Sequence, residues 1–324
     1  MWFLQNKYQQ LTHIYNTQIA KRHNFAAMLR KILCSLLLLF TLSAAAQGIG
    51  SAAAQSVNSP DYQPGDSAEI CEWLREAAAL PKGESQVLWF GRKFLSRPYI
   101  AHTLERNKAE RLVINTRELD CTTFTENVMA LELCRRAGRT SFRDFCQYLR
   151  NLRYEKGRAI DYTTRNHYFT GWINSNVAYG YFTEIAQPEQ IFSATQTVFV
   201  DYMTKHPNSY KMIRETPDYL PAIAEMEQRL SGGTYRYIPK AALRNTNTPE
   251  LRNAIHDGDI VVILTNKPGL DTQHITIAHW VGDELHVMHA SSIKKKVIDD
   301  PLSLYDYLQR QKTATGVRIV RMSR

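Results

Sequence analysis

The spacing of apolar residues changes character about two thirds of the way along the chain. Up to residue 230 the apolar positions recur mostly at helical intervals. Asp66-Ser67 can cap a helix over 66–80 that Pro81 ends, and a second helix is predicted over 84–95, before Arg97-Pro98. A third, over 121–136, carries Phe124, Val128 and Leu131 on one stripe, with Gly138 just past its end. Further helices are predicted over 141–153 and 219–230, with a short strand over 112–115 between the earlier ones. Beyond residue 258 the pattern becomes that of strands. Gly258 introduces an apolar run over 259–264, and 274–281 and 285–290 flank Gly282-Asp283, a two-residue hairpin signal. A short helix over 301–310 and a strand over 317–321 complete the chain. Helices first and antiparallel strands later predict an α+β fold.

The hairpin places side chains. If Val281 pairs with Glu284, paired residues sum to 565, so His289 lies opposite Thr276 and Ser291 opposite His274. His274 and His289 are then diagonal neighbours on one face, which also carries Ala278, Trp280, Leu285 and Val287. His279 and His286 pair on the other face. The 121–136 helix is the expected cover for the apolar floor beside His274 and His289, with its first residue, Cys121, delivered to His274. A helix N-terminus favours a thiolate, His274 would serve as base and then acid, and His289 would orient its ring. Cys121, His274 and His289 would also make three ligands for zinc, but the thiol reading requires no metal or cofactor.

The composition, 44% hydrophobic and 22% charged over 324 residues, excludes collagen-like and wholly disordered chains. The net charge of +9 is concentrated at the start, where residues 1–46 hold five basic residues and no acid. The remainder, with 35 basic and 31 acidic residues, has no run suited to nucleic acid. Met28-Leu29-Arg30-Lys31, the apolar run over 32–42 and Ser43-Ala44-Ala45-Ala46 form a secretory signal pattern over 28–46. Residues 1–27 read as a spurious extension from an upstream start, 47–65 as a linker and 66–324 as a single domain. Cleavage is expected after Ala46 or Ala54, leaving a protein with no membrane attachment in the periplasm or cell envelope. An oxidising compartment would permit disulfides among Cys71, Cys121, Cys134 and Cys146, at most one of them if one cysteine is a working thiol.

Leu119-Asp120-Cys121-Thr122-Thr123-Phe124 resembles the start of the catalytic helix in the NlpC-type, papain-like cell-wall hydrolases. Gly258-Asp259-Ile260-Val261 is similar to their barrel-opening strand, Gln273-His274-Ile275-Thr276-Ile277 to their histidine strand, and Val287-Met288-His289-Ala290-Ser291 to their His-Ala-Ser strand. Within that superfamily, residues 165–172 (Arg165-Asn166-His167-Tyr168-Phe169-Thr170-Gly171-Trp172) and Gly269-Leu270-Asp271 resemble the N-acetylmuramoyl-L-alanine amidase-like family. The resemblance runs from about residue 66 to the end. It implies a papain-like fold and amide hydrolysis through a thioester, with Cys121 as nucleophile, His274 as base and acid, and His289 as orienter. The implied substrate is a muropeptide or peptidoglycan, cut between N-acetylmuramic acid and L-alanine and held by Tyr99, Arg165, His167 and Asp271. The protein is expected to act as a monomer. The rivals are a stem-peptide endopeptidase and a muropeptide-binding protein without catalysis. Thr276 replaces the Gly of many relatives and is expected to narrow the space beside His274.

Overall fold

The computed structural model describes residues 59–81 and 85–323. The expected extension, the signal peptide and most of the linker lie outside the described residues. Residues 60–324 form one unit. Its first helix, α1 (Pro64–Ala77), begins inside the stretch expected as linker, because Pro64 starts the helix and the buried Asp66 carboxylate accepts from the Gln63 N–H at 2.8 Å. Asp61, also within that stretch, forms a parallel bridge with Val113. This bridge is all that remains of the strand expected over 112–115.

The helical layer continues with α2 (Val87–Arg92), α3 (Cys121–Arg136), α4 (Phe142–Arg153) and α5 (Phe169–Ala178). The bounds of α3 coincide with the sequence expectation because its cap is local. The Asp120 carboxylate accepts from the Thr123 N–H at 2.8 Å, and the Thr123 hydroxyl accepts from the Asp120 N–H at 2.9 Å. The helix is not a one-sided stripe, however. Thr123 through Cys134 are all buried, as befits a helix surrounded by protein. Its buried acids are paired: Glu126 with Arg153 at 2.7 Å, and Glu132 with Arg135 at 2.7 Å and Arg136 at 2.8 Å. A later helix, α6 (Leu220–Leu230), also matches its apolar spacing.

Eight strands form one antiparallel sheet: β1 (Phe182–Ile185), β2 (Ala194–Thr197), β3 (Thr234–Pro239), β4 (Ile260–Thr265), β5 (Thr272–Val281), β6 (Glu284–Ser291), β7 (Lys296–Asp299) and β8 (Ala314–Met322). Their order is β2-β3-β8-β4-β5-β6-β7, with β1 also on β8. Central β4 is buried throughout, in keeping with its unbroken apolar run. Helix α7 (Leu304–Gln309) precedes β8. Together these elements give the expected α+β class.

The β5–β6 hairpin has the anticipated turn and register, from Val281–Glu284 through His279–His286 to Ile277–Met288. The ladder ends there, so His289 does not pair with Thr276. Instead β6 continues along β7, with His289 opposite Ile298 and Ser291 opposite Lys296. The sheet faces also divide differently from expectation. Helix α3 packs with Ile275, Ile277, Met288 and Ala290, whereas Ala278, Leu285 and Val287 pack with Leu304 and Leu308 of α7. The Cys121 helix therefore covers the face opposite His274 and His289. Alternation placed the two histidines together, but it could not say which layer would lie over them.

Candidate active site

Where β5 and β6 part company, Cys121 sits at the first position of α3, half-buried, and its sulfur meets the Ile275 N–H of β5. The thiol thus approaches at the strand backbone, beside the opening, rather than across the face that carries the histidines. Among the described residues no hydrogen bond joins the thiol to His274. Burial and the adjacent Asp120 charge push the Cys121 pKa up to about 12, against the pull of the Ile275 N–H, the Thr122 hydroxyl and the Thr122 N–H. Cys121 therefore rests as a thiol, not the thiolate expected from the helix terminus, because desolvation and the Asp120 carboxylate outweigh the hydrogen bonds to the sulfur.

His274 and His289 do meet. Their rings stand edge to face at 4.8 Å, with Nε2 of His274 and Nδ1 of His289 2.6 Å apart. The chain of contacts extends to a residue absent from the sequence expectation: Nε2 of His289 lies 3.1 Å from Oδ2 of Asp300. Burial would raise the Asp300 pKa, but the hydrogen bonds from His289 and the Leu302 N–H, with Lys294 nearby, hold the carboxyl below its ordinary value. An ionised Asp300 can only accept, which sets the direction of the whole chain. His289 donates from Nε2 to Asp300, its Nδ1 accepts from Nε2–H of His274, and Nδ1 of His274 is left with a free lone pair. Burial, reinforced by His289, lowers the His274 pKa to about 3, so the ring is neutral. Asp300 was findable in principle. It follows β7, and with Ile298 opposite His289, a residue two further along shares the His289 face. What hid it was the four-residue β7, too short to announce itself.

Two tyrosines flank these groups. Tyr307 of α7 lies edge to face with His289 at 5.3 Å and stacked on His274 at 6.3 Å. Burial, with the charge of Asp300 and the proximity of Cys121, raises its phenol pKa, so it is protonated. Tyr99, bridged to Leu119 two residues before Cys121, is pushed up to about 12 by burial and by the proximity of Cys121 and Asp120. Tyr99 thus belongs beside the thiol. The buried Thr276 hydroxyl donates to the Val261 carbonyl of β4 at 3.3 Å.

The other three expected substrate residues each have partners within the protein. Arg165 is buried against Glu105 at 3.0 Å and Glu110 at 3.6 Å, and its guanidinium packs 4.9 Å from the Tyr162 ring. Oδ2 of Asp271 accepts from the Thr170 N–H at 2.7 Å, closing the first turn of α5 from outside the helix. His167 approaches the Tyr162 carbonyl at 2.6 Å, and burial together with Arg165 lowers its pKa to about 3. A neutral His167 therefore donates to that carbonyl. Cys71, Cys134 and Cys146, among which an oxidising compartment would permit a disulfide, are free thiols, as is Cys121.

Residues 89–317 match a family described as AmiA-like, N-acetylmuramoyl-L-alanine amidase-like. An N-acetylmuramoyl-L-alanine amidase from Bacteroides uniformis superposes with a TM-score of 0.68 at 38% identity, over 74% of this chain and 98% of that one. A Bacteroides fragilis protein, provisionally named a xylanase, gives a TM-score of 0.66 at 36% identity, over 72% and 100%. A Legionella pneumophila protein shares the fold at 21% identity, with a TM-score of 0.58 over 80% and 94%. The curated proteins contain no match. With the family match spanning most of the chain and the Bacteroides uniformis enzyme matched over nearly its full length, this chain belongs to the AmiA-like, N-acetylmuramoyl-L-alanine amidase-like family.

Proposed function

We propose that the protein is a cysteine-dependent amidase of peptidoglycan fragments, built on the NlpC-type, papain-like plan, that cleaves the amide between N-acetylmuramic acid and L-alanine. The observation that carries this reading is the hydrogen-bonded chain from Asp300 through His289 to His274. It leaves a single basic nitrogen, Nδ1 of His274, next in sequence to the Ile275 N–H that holds the Cys121 sulfur. Nδ1 takes the thiol proton as the sulfur adds to the lactyl carbonyl. The Cys121 N–H at the start of α3 and the protonated Tyr99 phenol are the available donors for the oxyanion. Collapse of the tetrahedral adduct breaks the C–N bond, and His274 returns its proton to the departing alanine amine. Water, deprotonated by the same nitrogen, then hydrolyses the thioester to a free lactyl acid and regenerates the thiol. Asp300 stabilises the relay as positive charge appears on the imidazoles.

A xylanase would call for two carboxyl groups flanking a sugar bond. A thiol served by a histidine relay suits acyl transfer instead. We place the activity in the cell envelope, on the strength of the signal pattern over 28–46. The N-terminal sequence of the exported protein tests that placement, since a start beyond residue 46 agrees with it and retention of 36–39 refutes it.

Mass analysis of a muropeptide digest tests the reaction. The expected products are a sugar ending in a free lactyl acid and an intact peptide with a free L-alanine amine. A sugar that retains L-Ala-D-Glu would make the protein an endopeptidase. Cys121→Ala should lower turnover by more than about a thousandfold, since no nucleophile remains, and should leave the melting temperature nearly unchanged. Muropeptide binding without cleavage by the parent protein would point to a binding protein.

A further inference from the structure

The hairpin that joins β6 to β7 ends in three consecutive lysines, Lys294, Lys295 and Lys296, all exposed. Among the described residues none has a carboxylate within ion-pair distance. Elsewhere in the protein, Arg97 is matched by Glu69 at 3.0 Å and Arg117 by Asp66 at 3.2 Å. Lys295 holds φ at +58°, a left-handed conformation that glycine or asparagine adopts more readily, so local turn chemistry does not explain a lysine there.

The tip also borders the reacting groups. The Lys295 carbonyl accepts from the Tyr99 N–H at 2.9 Å, and Tyr99 is the tyrosine beside the thiol. Lys296 pairs with Ser291 and Ile298 with His289, so Lys296 is on the same sheet face as His289, one diagonal step away. Lys294 lies close enough to act electrostatically on Asp300. We propose that Lys294, Lys295 and Lys296 form a carboxylate-binding subsite that engages the peptide part of the substrate. The inference rests on the reaction proposed above. In that substrate the lactyl carboxyl of the sugar is consumed in the scissile amide, so the free negative charges are those of the peptide. Lysines beside the relay thus select substrates by their peptide carboxylates and orient the peptide towards the β6–β7 tip.

Binding and turnover are measured separately. Binding uses Cys121→Ala protein and calorimetry, with an N-acetylmuramoyl tripeptide bearing free carboxylates and its carboxyl-amidated counterpart. Replacing the three lysines together with Gln should weaken binding of the acidic form about three- to tenfold, as expected for a few exposed ion pairs, and leave the amidated form unchanged. The corresponding Arg triple variant should retain the preference, and the preference should shrink as salt rises from about 50 to 500 mM. With Cys121 intact, the Gln triple variant should raise KM for the acidic form without changing kcat. Equal binding of acidic and amidated forms by the parent, or equal loss of both in the Gln variant, overturns the proposal. So does lysine-dependent binding to phosphatidylglycerol vesicles with muropeptide affinity unchanged, which would make the tip a membrane contact. Failure of the Cys121-containing protein to cut the muropeptide would refute the reaction itself. The carboxylate preference would still be read from binding.

Discussion

Two polar clusters differ in what they leave unused. Around Arg165, the Glu105 and Glu110 carboxylates neutralise the guanidinium, His167 is spent on the Tyr162 carbonyl, and Asp271 is spent on the Thr170 N–H. Around His274 the chain of donors and acceptors is tight from Asp300 to Nε2 and then stops, leaving Nδ1 open and a half-buried thiol nearby. Both clusters are rich in ionisable side chains, and both contain a histidine lowered to about 3. The presence of titratable residues therefore does not distinguish them. A reacting site needs capacity that the fold has not already consumed, and the relay region has it.

The largest expected effect tests that distinction within the relay. His274→Ala should reduce kcat by about a hundred- to ten-thousandfold, because it removes proton transfer itself. His289→Ala should cost less, since a base remains that is only less well held. Activity of His274→Ala equal to that of the parent would remove the residue from the reaction. Asp300→Asn comes next, with a loss of about ten- to a hundredfold. An amide that donates to Nε2 of His289 would reverse the chain and place the proton on Nδ1 of His274, the atom that must accept. Asp300→Glu should recover part of the loss if a carboxylate is what matters. An Asp300→Asn enzyme as active as the parent would show that the relay does not set the tautomer.

A smaller effect on turnover, but a large one on stability, is expected at Arg165. Arg165→Ala leaves the buried Glu110 and its neighbour Glu105 without their cation, at a cost of about 3–5 kcal/mol in unfolding free energy. Denaturant titration should record that loss, while kcat/KM per folded molecule stays close to the parent value. The opposite pattern, intact stability with a raised KM, would return Arg165 to the substrate cleft.

The smallest effect concerns acid sensitivity. His167 and His274 are neutral in the folded protein with pKa values near 3, whereas an unfolded histidine titrates near 6.5. Between those values the unfolded chain binds more protons, so stability is fully present above about pH 6.5 and falls as pH drops through the window. His167→Phe should reduce the slope of unfolding free energy against pH there, by up to one proton's share, with turnover preserved. An unchanged slope would mean that His167 is charged in the folded state.

Much of the scaffold was legible because its determinants lie within a few residues of one another. Asp120 and Thr123 cap each other, so the start of α3, and with it the place of Cys121, follows from four adjacent residues. Gly282-Asp283 sets a two-residue turn, and period-two alternation then puts His274 and His289 on one face. The short β1, β2, β3 and β7 were not legible, nor was α5, whose first turn is closed by Asp271 from far along the chain. The choice of layer over each sheet face was likewise beyond local rules, since α3 and α7 are both apolar enough to cover either. Nor does any local pattern stop the β5–β6 ladder at Ile277–Met288, which opens the site, or bring Asp300 back along β7 to His289. Caps, turns and alternation are short-range consequences of backbone geometry and are written in the sequence. The protonation states of Cys121 and His274 depend on which groups surround them and how much water those groups exclude, and only the packed tertiary structure decides that.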